Sequence, residues 1–208
     1  MTKVIHSREP RRERKKSAVR SRIITAAMEL FSRNGIENVT VEQIAEAADI
    51  GKGTVYNYFT TKEDIVVAFM VKLEARMQAR VRRLKATTGS LDSILAEFVR
   101  HQFRLKKRYH KFVRVFLGQM FLHTDSFLPY MAEMQKAIDP PMEELFRALR
   151  ERGLLRKDIN LAELIVIFKT MQLGLTALWA VEGPPFRGTE FVLAQEIRLF
   201  CEGLKETA

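Results

Sequence analysis

Apolar residues recur at spacings of three and four along almost the whole chain, and the runs they form predict helices. Between Val19 and Arg33, Ile23, Ala27, Leu30 and Phe31 keep helical spacing, and the run stops at Asn34-Gly35, a pair suited to a left-handed termination. Thr40 then precedes Val41, Ile44, Ala45 and Ala48, with Gln43 three residues after the threonine, which is the pattern of a capping box. Asp49-Ile50-Gly51 is long enough only for a turn, and residues 52–59 follow as a second short helix. Two short helices across a tight turn make the helix-turn-helix plan. Thr61 is placed to cap a fourth helix that opens on Lys62-Glu63-Asp64 and runs through Ile65, Phe69, Leu73, Met77 and Val81 to about Lys85. Thr87-Thr88-Gly89-Ser90 breaks it. Further helices are predicted at about 91–106, 110–122, 127–151, 160–182 and 188–205, punctuated by Asp139-Pro140-Pro141 and Glu182-Gly183-Pro184-Pro185. With no alternating strand pattern and no internal repeat, the chain reads as all-α.

The last two predicted helices differ in kind. Leu161 to Val181 is apolar nearly all round and long enough to suggest a membrane span, but Glu163, Lys169 and Gln172 interrupt it, which fits a buried core or subunit-interface helix better. The next helix carries Leu193, Ile197, Phe200 and Leu204 on one stripe. The two could pair with their copies in a second chain as a four-helix bundle, or with each other inside one core, and the pattern leaves both open. The middle of the chain is rich in Phe and Met at helical spacing. That suits either a core or an adaptable apolar ligand cavity, for which the candidate lining is Phe103, Phe112, Phe116, Met120, Met134, Phe168, Met171 and Gln172.

Charge changes this picture only locally. The 208 residues carry a net +10, which calls for an anionic partner, but the excess is uneven. Residues 1–20 are strongly basic, 21–64 are acidic overall, and 65–120 hold the largest basic excess, including Arg100, Arg104, Lys106, Lys107, Arg108, Lys111 and Arg114. Residues 1–17 read as a flexible basic arm, either a solubilising tail or a DNA contact. The start is charged where a signal peptide needs an apolar run, and the single Cys201 cannot form an internal disulfide, so a reducing, cytoplasmic setting is expected.

Catalytic chemistry finds little support. Gly51-Lys52-Gly53-Thr54 lacks the four spacer residues of a phosphate loop and the strand before it. His6, His101, His110, His123 and Cys201 do not pair at the spacing that would set two metal ligands on one helical face, and no nucleophile motif occurs. No catalytic residue, metal or cofactor is expected, and the chain is not read as an enzyme.

Residues 20–65 resemble the TetR family of bacterial transcriptional regulators. Phe31 with Gly35, Thr40 with Ile44-Ala45 and Ala48, then Gly53, Tyr56, Tyr58-Phe59 and Lys62-Glu63 match the family pattern at its spacing. The turn departs from it, reading Asp49-Ile50-Gly51 where the family usually has Gly-Val-Ser, so the recognition helix loses a side-chain cap. The resemblance implies a DNA-binding domain at 18–64 and a larger helical ligand-binding and dimerisation domain at 65–208. It also implies a homodimer through helices at about 160–182 and 188–205, a palindromic double-stranded operator and release by a small, largely apolar inducer. Thr40 and Lys62 would contact phosphates, Tyr58 would add a phenolic hydrogen bond, and Lys52, Thr54, Tyr56 and Asn57 would reach base edges. A helical small-molecule-binding protein or enzyme that keeps the head is the alternative. A non-specific basic DNA-coating protein is disfavoured by the acidic 21–64 block.

Overall fold

The computed structural model describes residues 11–84 and 88–204, and every regular element among them is an α-helix. The chain divides at Phe69 and Met70 into two compact units. The first holds α1 (Arg11–Asn34), α2 (Val41–Ala47), α3 (Lys52–Tyr56) and the start of α4 (Lys62–Leu84). The second holds the rest of α4 with α5 (Leu91–Lys107), α6 (His110–Leu122), α7 (Thr124–Glu151), α8 (Leu161–Glu182) and α9 (Arg187–Glu202).

α1 begins at Arg11, well ahead of Val19. Residues 1–10 of the expected flexible arm lie outside the described residues, but residues 11–17 are the first turns of α1 and not a loose segment. Propensity explains the correction: Arg-Arg-Glu-Arg-Lys-Lys-Ser-Ala contains no Gly, Pro or β-branched residue, and Glu13 sits at the positive end of the helix dipole. Their exposed side chains bury nothing, and they extend a helix already nucleated by Ile23, Ile24, Ala27, Met28 and Phe31 in the core. The helix stops at Gly35 (φ +82), whose N–H closes on the Phe31 carbonyl at 3.0 Å.

Asp139-Pro140-Pro141, read as punctuation, falls within the helix predicted at about 127–151, and that helix forms as α7. Pro129, Pro140 and Pro141 all lie inside α7. Each removes one backbone donor, yet the stripe Ile138, Met142, Leu145, Phe146 and Leu149 is buried on both sides of the Pro-Pro pair. Burial of those side chains, about 1.5–3 kcal/mol each, outweighs the local loss. Lys169 of α8 donates to Asp139 at 2.6 Å and fastens the same turn.

The second unit is organised around Phe168, which is fully buried. Its ring meets Phe146 edge-on at 5.5 Å, Phe98 at 5.9 Å and Phe200 at 5.3 Å, so α5, α7, α8 and α9 share one aromatic centre. By length and composition α8 is apolar enough to cross a membrane, but Leu164, Ile165, Phe168, Leu175, Trp179 and Ala180 face this core. Its other side leaves Ile167, Leu178 and Val181 exposed, Val181 at 75%. On α9 Phe191 and Leu199 are exposed at 69% and 61%.

The α8–α9 turn has its own fastening. Phe186 takes a left-handed backbone (φ 62) that costs a non-glycine residue strain, and its ring stacks on Trp179 at 4.4 Å and 13°. As the N-cap residue of α9 it offers no side-chain hydrogen bond. Glu182 fills that role from the end of α8, accepting from the backbone N–H of Gly188 at 2.7 Å, from that of Thr189 at 2.8 Å and from the Thr189 hydroxyl. The Thr189 hydroxyl, with those backbone donors, holds the Glu182 carboxyl below its ordinary range. A depressed carboxyl stabilises the fold above its unfolded pKa and loses that contribution as pH falls through the folded value. Glu182→Gln is therefore expected to melt below the parent at neutral pH, with the difference closing as the pH drops through the carboxylate range. A gap independent of pH in thermal melts would contradict the assignment.

Candidate functional site

In the first unit, the α2–α3 turn sets the geometry. Asp49 adopts φ 52, which an aspartate tolerates better than most residues, and Ile50 N–H returns to the Ala45 carbonyl at 3.0 Å. Thr40 forms the expected capping box: its hydroxyl oxygen accepts from Gln43 N–H at 3.2 Å while its own N–H donates to Gln43 Oε1 at 2.9 Å. The hydroxyl proton is not used in that box; at the exposed start of α2 it is shared with the Glu42 carboxylate, which it helps to hold below the usual range. Thr61 and Asp64 make the same reciprocal pair before α4, at 2.9 and 3.1 Å.

α3 is only five residues long, and Gly51 before it gives no side-chain cap. Burial holds it instead: Val55 and Phe59 point into the core, with the Arg20 guanidinium 5.6 Å from the Phe59 ring. The opposite side presents Lys52, Tyr56 and Asn57 to solvent, with Thr54 and Tyr58 half-buried beside them. Tyr56 is 49% exposed, so about half of its surface is open to solvent. Lys52 stands 5.8 Å over that ring and pairs with Glu42 of α2, a partner unmarked by any motif. The hydrogen bond from Lys52 holds the Glu42 carboxyl below its usual range, and the carboxylate in turn raises the Lys52 ammonium. Both stay charged near neutral pH, and Glu42 competes with any incoming anion for that ammonium.

Lys62 is the residue expected to meet phosphate at the start of α4. Its ammonium is turned inward, donating to the carbonyls of Ile36 at 2.7 Å, Val39 at 2.9 Å and, more weakly, Glu37 at 3.4 Å. An ammonium has three donors, and all are engaged. The physical reason is the α1–α2 connection, whose carbonyls have no helix to satisfy them and lie within reach of the first residue of α4. Lys62 thus braces the loop before Thr40.

The second unit contains a cavity of about 370 Å³ between α4, α5, α6, α7 and α8. Of the expected lining, Phe116, Met120, Met134 and Gln172 are on its wall, joined by Phe127 and Met131. Phe168 is not: it is the centre of the core, and Phe112 is likewise buried away from the cavity. Met171 packs against that core and Phe103 lines a different groove. Spacing alone cannot tell these apart, because cavity wall and core are opposite sides of the same amphipathic helices.

The polar end of the cavity lies outside the lining that helical spacing predicts. Lys106 is 9% exposed and lies 3.4 Å from the Thr176 hydroxyl and 3.7 Å from Glu74 Oε2, while Gln102 donates to Glu74 Oε1 at 3.4 Å. α4, α5 and α8 meet in this cluster. Its signal was present in the sequence: Phe98, Gln102 and Lys106 continue the buried stripe of α5 at spacings of four, which separates Lys106 from the exposed cations around it.

The family described as bacterial regulatory proteins, tetR family, matches residues 23–69, the span of the first unit's packed helices. The HTH-type transcriptional regulator TcmR of Streptomyces glaucescens is 36% identical over 92 residues, 40% of either chain. UidR of Escherichia coli K12, also an HTH-type transcriptional regulator, is 36% identical over 63 residues, 30% of this chain and 32% of its own. The chain thus spans well under half the length of these curated relatives. Among solved structures, FadR of Thermus thermophilus, a TetR-family repressor bound to lauroyl-CoA, superimposes with a TM-score of 0.71 at 28% identity, covering 91% of this chain and 97% of its own.

The inward turn of Lys62 makes a direct test. Lys62→Ala strands carbonyls that a charged donor now satisfies and is expected to cost about 1–3 kcal/mol, seen as an earlier melt of the DNA-free protein. An unchanged melt together with weaker DNA binding would return Lys62 to phosphate contact.

Proposed function

We propose that this chain, a member of the tetR family of bacterial regulatory proteins by its N-terminal head, is a dimeric transcriptional repressor released from its operator by an amphipathic small molecule. The observation that carries this reading is the head itself: a packed helix-turn-helix that matches the family over residues 23–69 and turns Lys52 and Tyr56 of α3, and Asn57 just after it, to solvent. Residues 18–64 serve as the DNA-binding domain and 65–208 as the regulatory domain. The chain has no enzymatic role and needs no cofactor in this reading, and it works in the cytoplasm, where its DNA lies.

Contacts divide by chemistry. Thr40 gives its hydroxyl proton, and Tyr58 its phenolic proton, to phosphates, and the start of α2 adds a favourable dipole. Lys52 donates to guanine acceptors, Asn57 pairs with adenine, the Thr54 methyl meets a thymine methyl, and Tyr56 adds an exposed edge. Lys52 must exchange Glu42 for DNA, so part of its gain on binding is offset by the lost pair. Lys62 acts indirectly, holding the loop that positions Thr40.

Dimerisation through α8 and α9 follows from what they leave uncovered. Ile167, Leu178, Val181, Phe191 and Leu199 form apolar surface that water solvates poorly, and a second copy covers it by a two-fold operation. Two recognition helices related in this way suit half-sites about 34–36 Å apart on a palindrome. The ligand enters the cavity beside α4, its apolar body against Phe116, Met120, Phe127 and Met134 and its polar end against Lys106, Gln172 and Thr176. The lauroyl-CoA bound by the Thermus protein supports an acyl chain as that body. α4 begins in the head at Lys62 and carries Glu74, so a ligand that binds the two states of this helix unequally shifts operator affinity.

Fluorescence anisotropy with duplexes from the promoter of its own or a neighbouring gene tests the reading. A specific, salt-sensitive complex is expected, with Asn57→Ala relaxing preference at one base position by about 1–3 kcal/mol and lauroyl-CoA lowering the affinity of the parent protein. Binding no tighter than to a scrambled duplex would overturn it.

A further inference from the structure

A second concave surface lies between α5 and α9, a groove of about 860 Å³ that shares no lining residue with the cavity beside α4. Its α5 wall presents Arg100, Arg104 and Lys107, at spacings of four and three and hence on one helical face, with Asp92 two turns before Arg100, and α9 presents Arg198 and Glu202 opposite. These cations are not equivalent. Arg104 pairs with Glu97 at 3.0 Å and Arg198 with Glu202 at 3.8 Å. Arg100 has no acidic partner among the described residues, and Lys107 has only the Phe186 ring, 5.7 Å from its ammonium. The floor is apolar: Phe186 stacked on Trp179, Phe103 at 5.8 Å from Trp179, and Leu193 and Ile197 of α9.

Helix physics explains only part of this arrangement. Cations in the last turn of α5 complement its dipole, which accounts for Arg104 and Lys107 but not for Arg100 higher up or Arg198 on another helix. A basic wall over an aromatic floor, in a concavity of ligand size, fits an occupant that is anionic at one end and apolar at the other. We infer that this groove is a second ligand site, for an organic dianion of the phosphate-monoester class carrying an aliphatic or aromatic body. The head pairs with Arg100 and Lys107, the two cations whose charge is uncommitted, and the body lies along Phe103, Leu193 and Ile197. Because the groove joins α5 to α9, its occupant braces α9 against the core independently of the cavity beside α4. This goes beyond the repressor reading and does not need an operator to be tested.

The probe is dodecyl phosphate below its micelle concentration, titrated calorimetrically into the full-length protein, with dodecanol and inorganic phosphate as partial ligands. Tight binding is expected only when both ends are present. Arg100→Gln with Lys107→Gln, both exposed positions, is expected to weaken it roughly tenfold or more. Lys111→Gln with Arg114→Gln removes the same charge elsewhere and is expected to leave it near the parent value. Thr170→Trp, which fills the other cavity, is expected to leave it unchanged. Equal loss in both charge variants, or loss in Thr170→Trp alone, would overturn the proposal. So would a variant that keeps dodecyl phosphate and instead loses non-specific duplex DNA, which would make the cations a nucleic-acid surface.

Discussion

The ion pair between half-buried Glu74 and buried Lys106 is the constraint on which the second unit turns. Two charges set among Phe, Met and Leu side chains carry a desolvation penalty that their mutual attraction alone rarely offsets, and Gln102 and Thr176 supply the missing hydrogen bonds. The pair therefore holds only if α4, α5 and α8 stay in register, because each contributes a member. It also keeps the adjoining cavity from closing into a dry apolar core, since collapse would bury the same charges without water or ligand. A ligand that satisfies them better than the present geometry has leverage over all three helices at once.

The head follows a different logic, that of satisfied helix ends. α2 and α4 each start on a reciprocal side-chain box, and Lys62 gathers the carbonyls of the loop between α1 and α2. Among the described helix starts of the head, α3 lacks such a fixture: Gly51 offers no cap, and the helix is held by Val55 and Phe59. The element that presents the candidate base-reading side chains is thus less fastened at its start than α2 and α4. Local adjustment of α3 to the groove of DNA is consistent with that division.

Much of this was legible in the sequence where the governing interaction is local. The Thr40–Gln43 box, the Asn34-Gly35 stop and the helices beyond Ser90 follow from spacings of three and four, and the all-α class follows from their accumulation. Where two distant segments decide the outcome, spacing fails. The Pro-Pro pair in α7 reads as punctuation because propensity is local, yet the stripe from Ile138 to Leu149 is buried across it. Phe168 and Phe116 carry the same apolar label, and only the fold sorts one into the core and the other onto the cavity wall. Lys62 matched a family position by type, but which oxygens its ammonium meets depends on a loop more than twenty residues away. The basic run after Arg100 dissolves in the same way, into a buried ion-pair member, groove-lining cations and solvated ones.

The most direct test of the account is a double-mutant cycle on operator affinity with Glu74→Gln, Lys106→Met and the pair together, each checked for a native melt. If the pair links the cavity to the head, Lys106→Met takes the ammonium away from Glu74 and shifts operator affinity about fivefold or more, and the double variant returns towards the parent because both charges are removed together. Folded single variants that bind the operator as tightly as the parent would contradict the account, for the ion pair would then be structural and α4 would carry nothing from the cavity to the DNA.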